Sequence, residues 1–273
     1  MRGSHGDQEE SQSDGGDIVH DAMLTPTPAQ ALERNDRRLR SVPGGGMTVF
    51  EENGPARVAR HVHPVWKIVL PERGPAVAGR ISGAGLLVPP QLAHTAAVSS
   101  AYTALFVDPW LLRPRQEMTV LDERAVRRMR AALGSGAALT ELVTLAGPGP
   151  LLDPRVAHAL DLAADLLPID VIAAEVGLSP PRLRALVRAS VGIPLVRLRQ
   201  WARLRAAVTL LGLSSVASAA ATAGFADQAH LARTSRALLG RTPVSLAHRA
   251  TPATGLGRPA ATGPGRRPYG EHA

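Results

Sequence analysis

Two sets of side chains in this sequence have types and spacings that could do chemistry. The stretches GLSPPRLRALVR (177–188) and AGFADQAHLARTSRALLGRTP (223–243) carry Arg182, Arg184, Arg188, Arg233 and Arg236. A guanidinium is a rigid fork of donors that matches two phosphate oxygens or the O6/N7 edge of guanine. In the same stretches Gln228 can pair with adenine N6/N7, and Ala185 or Ala229 can meet a thymine methyl. The second set is imidazole. HVHPVW (61–66) puts His61 and His63 on one face of an extended strand, and GAGLLVPPQLAH (83–94) ends in His94. Ring nitrogens so grouped suit iron, nickel or zinc; together with Trp66 they could instead line a small-molecule pocket.

The elements that must position the arginines are helices. Ser179 can cap a helix whose first turn holds Pro180 and Pro181, where a missing N–H costs little because those donors have no partner within the helix. At about 100° per residue, Leu183, Leu186 and Val187 share a packed face. Pro181, Arg184, Ala185 and Arg188 share the opposite one, with Arg182 at its edge. Upstream, DVIAAEV (170–176) reads as a short helix with Ile172 and Val176 inward, and Gly177 supplies the turn between the two. Helix, tight turn, and a second helix with a basic outer face is the helix-turn-helix arrangement, whose second helix enters the major groove.

The pattern then returns. Gly224 marks a turn, Asp227 a cap, and Leu231 and Leu238 an inward face; Ala229, Ala232, Arg233 and Arg236 point outward, with His230 at the edge and Gln228 at the tip. Between the units LVRLRQWARLRAAVTLLG (195–212) reads as one helix with Trp201, Leu204, Val208 and Leu211 on a stripe. About 15 helical residues span about 22 Å, enough to hold two recognition helices in successive major grooves about 34 Å apart.

Charge placement agrees. Between residues 168 and 250, eleven arginines (182, 184, 188, 197, 199, 203, 205, 233, 236, 241 and 249) face only Asp170, Glu175 and Asp227. That third therefore holds the whole net charge of +8, and the rest of the 273 residues sums to zero. Such an excess is built to meet a polyanion, most often nucleic acid. Arg188, Arg197, Arg236 and Arg241 are the expected phosphate contacts, which give affinity and register but no sequence information. With no cysteine there are no disulfides and no thiolate metal sites. No G-x-S-x-G or Walker-type loop and no apolar run of membrane-spanning length appears, so a cytoplasmic protein that is not an enzyme is expected.

These motifs also carry a resemblance. IAAEVGLSPPRLRALVRASVGIP, WARLRAAVTLL and AGFADQAHLARTSRALLGRTP resemble the tandem helix-turn-helix domain of the AraC/XylS family of transcription regulators, over residues 153–250. The resemblance implies base readers at Pro181, Arg184 and Ala185 in the first unit and at Gln228, Ala229, His230 and Arg233 in the second. The second unit departs from the family pattern: Ser235 stands where an aromatic or large apolar residue is usual, Leu231 and Leu246 replace aromatics, and Ala219 is small for an inward position. A looser second core is expected, with the first unit dominating specificity.

Residues 47–114 change texture to short β-type runs, VWKIVL, GLLVPP and TALFVDP, split by Gly and Pro. HVHPVW and GAGLLVPPQLAH resemble the two motifs of a cupin barrel, which implies a sensing domain. The family's glutamate is missing, Lys67, the sole lysine, lies near its place, and Gln91 replaces a glycine. No metal and no cofactor is therefore assigned, and His61, His63, Trp66 and His94 are the candidate effector-binding residues. Too few strands are legible for a full barrel. Residues 115–152 are expected as a helical linker; in 121–133 Leu121, Ala125, Met129 and Leu133 form a stripe suited to dimerisation or to packing on the same domain. Residues 1–46 and 251–273 are expected as tails, with a short helix over 29–40.

The fold class expected is α+β: a small cupin-like antiparallel β domain followed by an all-α tandem helix-turn-helix domain. The expected function is sequence-specific transcription regulation, with double-stranded DNA as partner and a small-molecule effector or a homodimer acting through the β domain. RNA polymerase is a further candidate partner, and a membrane is not. The rival reading is a cupin-type metalloenzyme with a helical appendage.

Overall fold

The computed structural model describes residues 37–42 and 46–247, with the side chains described from residue 46 onward. The expected tail at 251–273, Arg249 and all of 1–36, with most of the helix expected over 29–40, lie outside the described residues. Six strands, β1 (Arg37–Val42), β2 (Met47–Glu52), β4 (Trp66–Pro71), β7 (Gly85–Val88), β9 (Tyr102–Val107) and β10 (Thr119–Leu121), form one antiparallel sheet in the order β1-β2-β9-β4-β7-β10. Four more, β3 (Ala56–His61), β5 (Ala76–Ala78), β6 (Ile81–Gly83) and β8 (His94–Val98), form a second in the order β3-β8-β5-β6. The domain is thus not short of strands. β5 and β6 are three residues each, below the length at which alternation can be read. Arg37–Arg40 belong to a strand paired with β2, not to a helix or a tail.

The larger sheet is buried on both faces, which is why all six residues of β4 are buried. Phe50, Val69, Leu86, Ala104 and Phe106 face inward in one core. Their neighbours Val49, Trp66, Ile68, Leu70, Leu87 and Leu105 face a second core under helices α1 (Glu123–Ser135) and α2 (Ala138–Ala146). Leu121, Ala125 and Met129, with half-buried Leu133, lie in that second core, so the stripe is covered by its own sheet instead of being offered to a partner.

Seven helices follow: α3 (Pro154–Ala164), α4 (Ile169–Glu175), α5 (Pro180–Val191), α6 (Leu195–Leu210), α7 (Val216–Thr222), α8 (Gln228–Leu239) and the single turn α9 (Pro243–Leu246). Val156, Leu160, Ile172, Leu183 and Val187 close a third core around the first unit. The second unit has no core separate from the β domain. Ala219, Ala220, Phe225, Leu231 and Leu238 are continuous, through Trp201 and Leu204 of α6, with the inward face of the larger sheet. Among the described residues no helix is long and apolar enough to cross a membrane.

Candidate nucleic-acid interface

The two reading units use the same local devices. In the first, Ser179 accepts from Arg182 N–H at the head of α5, with prolines in the first turn. In the second, Asp227 accepts from His230 N–H at 2.6 Å at the head of α8. The turn before each cap carries a glycine at positive φ, Gly177 at 66° and Gly224 at 75°, a conformation that costs a side-chain-bearing residue about 1–2 kcal/mol. Leu183 and Val187 anchor α5, and Leu231 and Leu238 anchor α8, all fully buried.

The predicted outer faces are exposed except at Ala232 and His230, which are half-buried. Pro181, Arg182, Arg184, Ala185 and Arg188 are exposed on α5, and Gln228, Ala229, Arg233 and Arg236 on α8. His230 is only half-exposed; its ring stands edge-on to Phe225 at 5.2 Å and its Nδ1 accepts from Ala226 N–H, so it belongs to the turn more than to the outer face. None of Arg182, Arg184, Arg188, Arg233 and Arg236 makes a side-chain hydrogen bond or ion pair among the described residues.

Other arginines of this third are spent internally, and two of the expected phosphate contacts need correcting. Arg241 is 10% exposed and makes a two-point ion pair with Glu52 of β2 at 2.6 and 2.9 Å, with Tyr102 OH donating to the same carboxylate. Arg197 donates to the Val62 carbonyl and to Gln200. Arg199 donates to the Leu167 carbonyl, and Arg205 to Thr48 Oγ1. Sequence reading missed these roles because their partners are 135 and 189 residues away for Arg197 and Arg241.

These contacts define a seam between the β domain and the second unit. Val62 N–H donates to the Ala237 carbonyl near the end of α8. Gly240, just beyond that helix at φ 68°, presses on β3 so closely that a Cβ there would stand 2.4 Å from the Ala59 carbonyl oxygen. Phe106 meets Trp201 with ring centroids 5.0 Å apart. A crevice at the seam, lined by Phe50, Lys67, Phe106, Leu204, Arg205 and Val208, has a free volume of about 40 Å³. Ligand pockets run to hundreds of Å³, so the seam is packed. Ser235, expected to loosen the second core, is fully buried and donates to the Arg241 carbonyl at 2.7 Å.

The imidazoles are brought together and the tryptophan is not. His61 and His94 are direct cross-strand partners of β3 and β8, and His63 follows in the connection to β4. Their ring centroids lie 4.2 to 5.7 Å apart. Trp66 opens β4 with its side chain on the opposite face of the sheet, in the core under α1 and α2, donating to the Pro109 carbonyl. Alternation along β4 requires this, since Lys67 and Val69 take the inward positions. Burial, then the nearby Lys67 and then His94 lower the pKa of His61 to about 3; burial and then Lys67 lower His94 to about 4; and burial, then Lys67 and the two other imidazoles hold His63 well below the ordinary histidine value. Burial also lowers Lys67 itself to about 8, Arg241 adding to the shift and Glu52 opposing it.

A β-sheet domain followed by two helix-turn-helix units, each with a side-chain-capped second helix, defines a two-domain DNA-binding protein. A family model described as "Helix-turn-helix domain" matches residues 172–249, and this segment is an AraC-type DNA-binding domain. No curated protein matches the chain. Among solved structures, ToxT from Vibrio cholerae is similar at 9% identity and a TM-score of 0.47, over 77% of this chain and 97% of that one. Wild-type ToxT from the same organism with an unsaturated fatty acid bound is 12% identical with a TM-score of 0.45, over 75% of this chain and 95% of that one. A transcriptional regulator with an AraC-type DNA-binding domain from Chromobacterium violaceum is 28% identical over 36% of this chain and 95% of its own length, with a TM-score of 0.31.

Proposed function

We propose that this chain is a sequence-specific regulator of transcription that reads double-stranded DNA with α5 and α8, and whose β domain governs how the second unit is presented. The observation that carries this reading is the division among the arginines. Five on the outer faces of two recognition helices have no partner within the described chain, while four others of the same segment hold the fold together. Arg184 and Arg233, with Gln228, read bases; Arg182, Arg188 and Arg236 hold phosphates. The second unit shares a core and a buried ion pair with the β domain. Anything that favours one arrangement of that seam over another therefore changes DNA affinity by its differential affinity for the two arrangements.

Selection by the full chain from a random duplex pool at near-physiological salt tests the reading. A bipartite motif with halves about one helical turn, ~34 Å, apart supports it. Binding that fades steeply with salt and enriches no motif would mean that the basic faces are merely electrostatic.

A further inference from the structure

We propose that the crevice between the β domain and α6 binds one small monovalent anion, of the size of chloride, between Lys67 and Arg205. Lys67 is the sole lysine of the chain, is 6% exposed and makes no hydrogen bond or ion pair among the described residues. Its Nζ has only the face of Phe106, with the ring centroid 5.9 Å away, near the outer limit of a cation–π contact. The carboxylate that acts on it, Glu52, is already engaged: Arg241 holds both oxygens and Tyr102 OH donates to one of them.

An ammonium alone in a packed interior is costly. Proton loss does not remove that cost, because with its pKa lowered to about 8 the amine is still mostly charged at pH 7. The charge calls for a counter-charge, and the crevice gives it a place. Thr48, Lys67, Phe106, Trp201, Arg205 and Arg241 all line it. Arg205 gives Thr48 Oγ1 one long hydrogen bond, at 3.4 Å, and makes no other among the described residues, so most of its donors are free for an anion. Asp108 acts on Arg205 across a neighbouring crevice. Lys67, Arg205 and Arg241 against Glu52 and Asp108 leave one net positive charge, which one monovalent anion balances.

Size selects the occupant. The free volume is about 40 Å³, and one water takes about 30 Å³ in the liquid, so a monatomic ion fits and an organic acid does not. The aromatic walls of Phe106 and Trp201 favour a weakly hydrated ion such as chloride or bromide over the strongly hydrated sulfate or phosphate. Thr48, Lys67 and Phe106 stand on β2, β4 and β9, and Trp201 and Arg205 on α6. An anion there therefore ties the sheet to the helix that joins the two reading units. This consequence for DNA binding rests on the function proposed above, whereas the site itself does not.

Because there is one lysine, [¹³C]lysine labelling of the full chain gives a single Cε signal from Lys67. The signal is followed as chloride replaces gluconate, an anion too bulky for the crevice, at constant ionic strength, with ³⁵Cl line broadening as a second readout. The expected result is a saturable one-site shift, a rise of the Lys67 pKa from about 8 toward the ordinary 10.5, and a thermal midpoint about 2–4 °C higher in chloride. Bromide should compete and sulfate should not. In Lys67→Met, where an apolar side chain of similar length replaces the charge, the ³⁵Cl broadening and the chloride dependence of the midpoint should both be lost. Should that variant fail to fold, the titration of the wild-type chain decides alone. A Lys67 signal and a midpoint that respond equally to chloride and gluconate would overturn the site, as would undiminished ³⁵Cl broadening in a folded Lys67→Met. Saturable chloride binding with DNA affinity unchanged at constant ionic strength would overturn only the coupling to the reading units.

Discussion

Arg241 and Glu52, 189 residues apart in sequence, form a buried two-point ion pair at 2.6 and 2.9 Å that locks the second reading unit to the β domain. Desolvating two charges is costly, and the pair holds only because both forks are matched and Tyr102 satisfies a further lone pair. Removing one partner therefore costs more than the pair itself contributes.

The Arg241→Met variant is expected to lose about 3–5 kcal/mol in a denaturant titration, because the Glu52 carboxylate is left buried without its guanidinium. Adding Glu52→Gln should restore more than half of that loss. Equal destabilisation in the single and double variants would show that the two residues do not act on each other.

Gly240→Ala is expected to loosen the seam without touching the outer face of α8. The left-handed backbone alone costs about 1–2 kcal/mol, and the new Cβ would meet the Ala59 carbonyl and Val58. Hydrogen exchange should quicken in β3 and at the end of α8 while α5 keeps its protection.

Acid should destabilise the β domain. His61, His63 and His94 have folded pKa values lowered from 6.5, to about 3 for His61 and about 4 for His94. Their contribution is whole above about pH 6.5 and is lost as pH falls toward 4, because the unfolded chain takes up protons that the folded chain refuses. Asp108 has the opposite sign: burial raises it to about 6, so it favours folding as pH drops from 6 to 4. Three histidines outweigh one carboxyl, and the melting temperature in chelator should be lower at pH 5 than at pH 7.5. His63→Gln should reduce that difference.

Gln91 holds φ at 65°, in the left-handed region, on an exposed turn where only its N–H is tied, to the His63 carbonyl. Gln91→Gly should stabilise the chain by about 0.5–1 kcal/mol, the relief of strain being partly offset by unfolded-state entropy. The thermal midpoint of the variant checks this.

What could be read from the sequence follows from the range of the interactions. The recognition faces were legible because caps, a turn glycine and the 3.6-residue period all act within a dozen residues; Ser179, Leu183 and Arg184 declare themselves locally. The pairing of His61 with His63 was legible from alternation, but the meeting of both with His94 depends on the β3–β8 register and its irregularity after Val58. Trp66 was misplaced because the chain crosses from one sheet to the other between His61 and β4, and strand parity could not be carried across that crossing. Arg197 and Arg241 looked like phosphate contacts because an arginine satisfied by a distant Val62 or Glu52 has the same local sequence as a free one.

The central claim, that the two units read sequence through their outer arginines, is tested most directly by measuring Arg184→Ala and Arg233→Ala on a selected site with either half scrambled. Each variant should lose about 1–3 kcal/mol of discrimination, roughly 5–150-fold, at its own half-site alone, the larger loss falling on Arg184 because α5 is free of the seam. Uniform weakening of every duplex by both variants, with discrimination intact at both halves, would contradict the account.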